Sequence, residues 1–266
     1  MSLVVDSSAA APTAPTGAAR GIVLTLDGVS KRHGVGKNSV VALDGVSLTV
    51  QRGEFVCLVG ASGCGKTTLL SLVAGLDQPT AGTVHTDGRT ALMFQESALL
   101  PWRTAAQNVE LALKLGGVVR RERREQALEF LRMVHLTDFA DKRPHELSGG
   151  MRQRVALARA LAQRADILLM DEPFGALDAI TRDVLHDELE RVVQERGLTV
   201  LFVTHNVREA SRLGDRIVLL SSRPGRVVEE FAVPVERPRR IESPGVSAIA
   251  ATVTTRLREE VRRHAR

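Results

Sequence analysis

The sequence predicts an α/β fold, and three observations carry that prediction. Residues 58–68, LVGASGCGKTT, lie between a short apolar run, Phe55–Val59, and a helix-like run, 66–74, which is the strand–loop–helix order of a phosphate-binding loop. Farther along, residues 167–170 are continuously apolar and end in Asp171 and Glu172, the pattern of a fully buried strand that delivers polar groups at its C-terminal edge. Finally, 266 residues of which 44% are hydrophobic suffice for one large α/β domain or two small ones.

The glycine-rich segment states its chemistry most clearly. Gly60, Gly65, Lys66 and Thr67 satisfy G-x-x-x-x-G-K-[ST], with Ala61, Ser62, Gly63 and Cys64 between the glycines and Thr68 following. A polyphosphate needs several converging backbone N–H donors. Glycines let the chain curl without Cβ clashes, while the helix N-terminus aims its partial positive charge inward. Lys66 then neutralises the β and γ phosphates, and the Thr67 hydroxyl is a candidate Mg²⁺ ligand, because Mg²⁺ takes oxygen donors and shares them with substrate phosphate. An ordinary glycine-rich turn is the alternative, and the flanking strand and helix weigh against it.

Composition narrows the partners. Aromatic residues are 3% of the chain, with no Tyr and one Trp, so little surface is available for stacking single-stranded bases and no nucleic acid is expected. The net charge of +5 is concentrated in residues 237–266, which hold eight Arg against three Glu; the body is neutral, and the tail is expected to be a solvated face. Cys57 and Cys64 offer neither a disulfide framework nor metal spacing, which fits a reducing compartment. Residues 1–19, rich in Ala, Ser, Thr and Pro, lack the basic and apolar regions of a secretory signal and are read as disordered. No apolar stretch approaches the roughly 18 residues needed to cross a bilayer, so any membrane work runs through a partner.

In chain order, 22–26 and 40–50 contain alternating apolar residues around the polar KRHGVGKNS, which predicts an antiparallel hairpin. His33 in this connection is either an exposed loop histidine or an imidazole face for adenine. Residues 75–89 place turn chemistry around a short strand, and 90–95 form another strand ending in Gln95. The Gln95 amide either ligates Mg²⁺ or orients a water, or it satisfies loop backbone. Helices are expected over 104–115, 120–134 and 136–142, a small helical subdomain. In PHELSGGMRQR, Ser148 is a candidate N-cap, and Gly149 and Gly150 expose N–H groups at the start of a helix ending near Ala162; this is a second anion site or a plain glycine-bearing cap.

At the acidic strand end, Asp171 holds Mg²⁺ through water and Glu172 accepts a proton from an attacking water, unless the two merely cap the next helix. A charged helix, 179–196, and a buried strand, 199–203, follow. His205, just beyond, is structural or hydrogen-bonds a terminal phosphate at the same sheet edge. Strands 216–220 and 226–233 flank SSRPG as a last hairpin. Beyond Pro234 the chain is Pro- and Arg-rich, then forms a basic amphipathic helix from about Val246, and is expected to be peripheral.

Taken in order, GASGCGKTT, Gln95, LSGGMRQR, ILLMDEP, Asp178 within GALD, and His205 resemble the ATP-binding subunit of an ATP-binding cassette (ABC) transporter, over about 22–233. LSGG between a phosphate loop and an acidic strand end is the specific element. The resemblance implies a P-loop NTPase with a RecA-like parallel-sheet core, an N-terminal antiparallel β subdomain and a helical subdomain at about 96–160. The boundaries are a 1–20 tail, a 21–235 ATP-binding domain and a partly helical 236–266 extension. It implies ATP and Mg²⁺, and a head-to-tail homodimer in which Ser148, Gly149 and Gly150 of one subunit meet the γ-phosphate bound by Lys66 of the other. Gln95 would sense the γ-phosphate and Mg²⁺, Glu172 would be the general base, Asp178 would cross the interface and His205 would hold the γ-phosphate. Two positions depart from the pattern: His33 stands where many members carry Tyr or Phe against adenine, and Met151 where Gln commonly follows LSGG.

FQESALLPWRTAAQNV and SSRPGRVVEEFAVPV are similar to importer subunits of the nitrate, sulfonate and taurine group. That implies an ATPase powering uptake of a small anion through separate integral-membrane permease subunits, and indirectly a solute-binding protein, at the cytoplasmic face of a bacterial membrane. Residues 95–102 would then help receive a coupling helix, with Leu99, Leu100 and Trp102 as candidate contacts; a core role is the alternative for Trp102. A soluble cassette ATPase acting on DNA or ribosomes is the competing class. It would be expected to show a second cassette or a coiled-coil insertion, and the sequence shows neither.

Overall fold

The computed structural model describes residues 21–34, 36 and 39–264; the tail expected over 1–20 lies outside them. The chain runs β1 (Ile22–His33), β2 (Val40–Gln51), β3 (Phe55–Val59), α1 (Lys66–Val73), β4 (Ala81–Thr86), β5 (Thr90–Met93), α2 (Ala105–Leu115), α3 (Arg120–Met133) and α4 (Gly149–Leu161). It continues through β6 (Ile167–Asp171), α5 (Ala179–Arg196), β7 (Thr199–Thr204), α6 (Val207–Leu213), β8 (Arg216–Leu220), β9 (Val227–Ala232) and α7 (Pro244–His264).

Two sheets result among the described residues. The expected hairpin forms, Leu26 facing Leu48 and Val29 facing Val46, and β4 adds antiparallel to give the order β2-β1-β4. The larger sheet has the order β5-β6-β7-β3-β8-β9, parallel except for β9. Every residue of β3, β6 and β7 is buried, as expected for parallel strands covered on both faces. Side chains alternate between two cores. Phe55, Phe174 and Phe202 pack with α2 to α5 on one side, with ring centroids 5.6 and 5.9 Å apart. Leu58, Val203 and Val218 pack with β1, β2 and α1 on the other. The C-terminal ends of β3, β6, β7 and β8 therefore open on one edge, where open α/β sheets take ligands.

The helical subdomain is held by local polar chemistry. Thr104 and Gln107 form a reciprocal capping box at the start of α2. Fully buried Asn108 ties the preceding loop, accepting from Leu100 N at 2.8 Å and donating to the Thr104 carbonyl at 3.0 Å. The helix expected over 136–142 is only a 3₁₀ turn, Thr137–Phe139. The Ala140 and Lys142 carbonyls accept instead the first N–H groups of α2, and Pro144 has no N–H to offer Ala140.

The basic extension departs furthest from expectation. Arg239 is buried and donates to the carbonyls of Val233, Val235 and Gly214. Arg237 pairs with Glu190 and Asp215, both at 2.8 Å. Val246, Ala250 and Val253 of α7 are buried, the last two within the main core, and Arg256 reaches Glu229 at 3.0 Å. Part of the charge excess thus serves as internal hydrogen-bond donors where β9 leaves the sheet, not as a solvated face.

Candidate nucleotide site

The loop after β3 needs its glycines for definable reasons. Gly65 caps α1 at φ 99°, and a Cβ there would lie 2.7 Å from the Ala42 carbonyl oxygen. At Gly60 a Cβ would lie 2.8 Å from Cys64 Sγ, so buried Cys64 fills the inside of the loop, and burial pushes its thiol pKa up. Lys66 Nζ donates to the Gly60 and Ala61 carbonyls at 2.8 and 2.9 Å, which holds the ammonium along the loop.

Ser62, Gly63, Gly65, Lys66, Thr67 and Thr68 line a cleft of about 650 Å³ at the C-terminal edge of the sheet, together with Gln95, Asp171, Glu172 and His205. His33 lies at the same cleft, its Nε2 3.5 Å from Thr68 Oγ1. The Thr67 hydroxyl donates to Asp171 Oδ2 at 2.6 Å. Burial holds the Asp171 carboxyl above the usual range, against that hydrogen bond. A carboxylate and a hydroxyl side by side form the oxygen-only donor pair that fits Mg²⁺ shared with phosphate.

Glu172 follows β6 in a left-handed conformation, φ 46°, with its N–H donating to the Val203 carbonyl at 2.9 Å. A non-glycine residue there is strained, a feature that gathers at functional positions. Its Oε2 lies 3.0 Å from His205 Nδ1. Behind His205, Thr204 donates its hydroxyl to buried Glu209, whose other oxygen lies 2.8 Å from Nε2 of fully buried His186. Asn206 caps α6. The histidine is therefore mounted on a rigid polar base.

Not every expected residue enters this cleft. Ser148 caps α4, accepting from Met151 N at 3.2 Å, and Ser148 and Gly149 are exposed; none of Ser148, Gly149 and Gly150 lines the cleft. Asp178 caps α5, and the Thr181 N–H and hydroxyl hold its carboxyl below the usual range. Gln95 lies beyond β5, which ends at Met93; its carbonyl accepts from Gln153 at 3.2 Å, while Arg159 donates to the Ser97 and Ala98 carbonyls. The helix that follows LSGG thus grips the Gln95 loop, through residues whose sequence signal is only helical. Arg223, in SSRPG, also lines the cleft, although the sequence pointed only to a turn and a family resemblance there and gave this residue no site role.

A parallel sheet with a phosphate loop, an adjacent hydroxyl–carboxylate pair and a carboxylate–imidazole pair at one edge defines a P-loop nucleoside triphosphatase. The ABC transporter family model matches residues 43–175. The chain is 48% identical over 248 residues to an aliphatic sulfonates import ATP-binding protein of Burkholderia cenocepacia, covering 91% of this chain and 74% of that protein. It is 42% identical over 254 residues to a nitrate import ATP-binding protein of Synechococcus elongatus, covering 91% and 90%. A dimeric ATP-binding cassette solved in a post-hydrolysis state with ADP and Pi superposes with a TM-score of 0.74 at 37% identity, covering 80% of this chain and 100% of that one. The chain belongs to the ABC transporter family, as an ATP-binding subunit whose ATPase activity is coupled to transport.

Proposed function

We propose that the chain is the ATP-hydrolysing subunit of an importer for a small anion such as nitrate, an aliphatic sulfonate or taurine. Residues 60–68 bind the ATP polyphosphate, Lys66 neutralising the β and γ phosphates, and His33 offers its ring to adenine. Thr67, Asp171 and Gln95 hold Mg²⁺, which offsets phosphate charge. Glu172 takes a proton from the attacking water as its oxygen bonds to the γ-phosphorus and the bond to ADP breaks, while His205 donates to the γ-phosphate.

The observation that carries this reading is the division of the expected site. Ser148, Gly149 and Gly150 stand outside the cleft, at a capped helix start whose N–H groups suit an anion. They act on the ATP of a second copy, with Asp178 at the interface, so ATP joins two subunits and hydrolysis separates them.

No helix among the described residues is long and apolar enough to cross a membrane. The chain works at the cytoplasmic face of the membrane against integral-membrane permease subunits, and through them a solute-binding protein. A cleft of about 350 Å³ between β5 and α2, with Leu76, Phe94 and Leu115 exposed at it, supports docking of an apolar permease helix. Trp102 is 68% exposed, which removes the core alternative and leaves it available to the same partner. Affinity purification from detergent-solubilised membranes is expected to recover a multi-span membrane protein with the chain. Recovery with nucleic acid or ribosomes and no such protein would contradict the assignment.

A further inference from the structure

From the loop joining β8 to β9, we infer that Arg223 supplies a second cation to the nucleotide polyphosphate, a role that rests on the ATP site proposed above. β8 lies beside β3 in the sheet, so the two loops share one edge. The β8–β9 loop is a built feature. Ser221 Oγ donates to the Pro224 carbonyl at 2.7 Å and accepts from Arg226 N at 2.9 Å. Gly225 N donates to the Ala42 carbonyl at 2.9 Å, Asp44 N donates to the Gly225 carbonyl at 3.0 Å, and Arg226 pairs with Asp44. Gly225 packs so closely on the phosphate loop that a Cβ would lie 2.2 Å from the Cys64 carbonyl oxygen. The backbone carrying Arg223 is thereby fixed against the loop that holds the phosphates.

The side chain is exposed and lines the cleft, donating through Nε to the Gly63 carbonyl at 3.2 Å. A guanidinium has five N–H donors, and among the described residues Arg223 makes no ion pair, so donors remain for a ligand. Of the residues lining this cleft, Lys66 and Arg223 are the Lys and Arg, against Asp171 and Glu172. Lys66 is buried along the loop, whereas Arg223 reaches the cleft from the β8 side. A polyanion seated between them meets two cations from independent elements, the second with N–H donors left over for phosphate oxygens.

The test is Mg²⁺-ATP affinity by calorimetry at 50 and 500 mM salt for the full chain and its Arg223→Gln, Arg223→Lys and Lys66→Ala variants. Arg223→Gln is expected to weaken binding about 5- to 10-fold at low salt and less at high salt, with Arg223→Lys restoring most of the loss. Binding by Arg223→Gln within about twofold of wild type with the same salt dependence would overturn the inference. So would an Arg223→Lys variant as weak as Arg223→Gln, since that result assigns the side chain to packing on Gly63. Failure of the wild-type chain to bind ATP would remove the site itself and Arg223's role with it, whereas loss confined to Lys66→Ala would remove the role alone.

Discussion

On the proposed function Glu172 is the general base, and its strained backbone and its contact with His205 fix its carboxylate at the cleft. Glu172→Gln keeps shape and hydrogen bonding but removes the base. It is expected to lower turnover by about 10²- to 10⁴-fold, with ATP affinity within about twofold of wild type; wild-type hydrolysis in a steady-state assay would contradict the assignment. Lys66→Ala should instead abolish measurable ATP binding, and unchanged affinity would contradict the phosphate-loop reading. These residues were legible in the sequence because a phosphate loop and a buried strand ending in acids are contiguous patterns. Arg223 and Gln153 were not. Each reaches the site through a contact between distant segments, SSRPG with β2 and α4 with the Gln95 loop, which no local spacing records.

At the scale of elements, strands fully buried in the sheet were readable nearly to the residue, and elements ended by tertiary hydrogen bonds were not. The 136–142 segment has helical composition, but its Ala140 and Lys142 carbonyls are claimed by α2. The capping box at Thr104 is the converse case, a local interaction that sets where α2 starts. Thr104→Ala is expected to lower unfolding free energy by about 1 kcal/mol in denaturant titration, with ATP affinity unchanged. A loss of affinity with no loss of stability would show that α2 contributes to nucleotide binding directly.

For the whole molecule, the extension after β9 is part of the folded body. Its arginines satisfy carbonyls that composition could not locate, so a charge count alone pointed to solvent. Arg239→Ala leaves buried carbonyls unpaired and is expected to cost about 2–3 kcal/mol of stability. A thermal transition at the wild-type temperature would show that the extension is dispensable. The largest claim at this scale is that one chain holds only half of each site. Light scattering on Glu172→Gln with and without Ser148→Arg, in saturating Mg²⁺-ATP, tests it most directly. The single variant should elute as a dimer, and the double variant as a monomer that still binds ATP through its own phosphate loop, more weakly than the dimer. A single variant that binds ATP yet stays monomeric, or a Ser148→Arg change that destroys ATP binding in the monomer, would contradict the shared site.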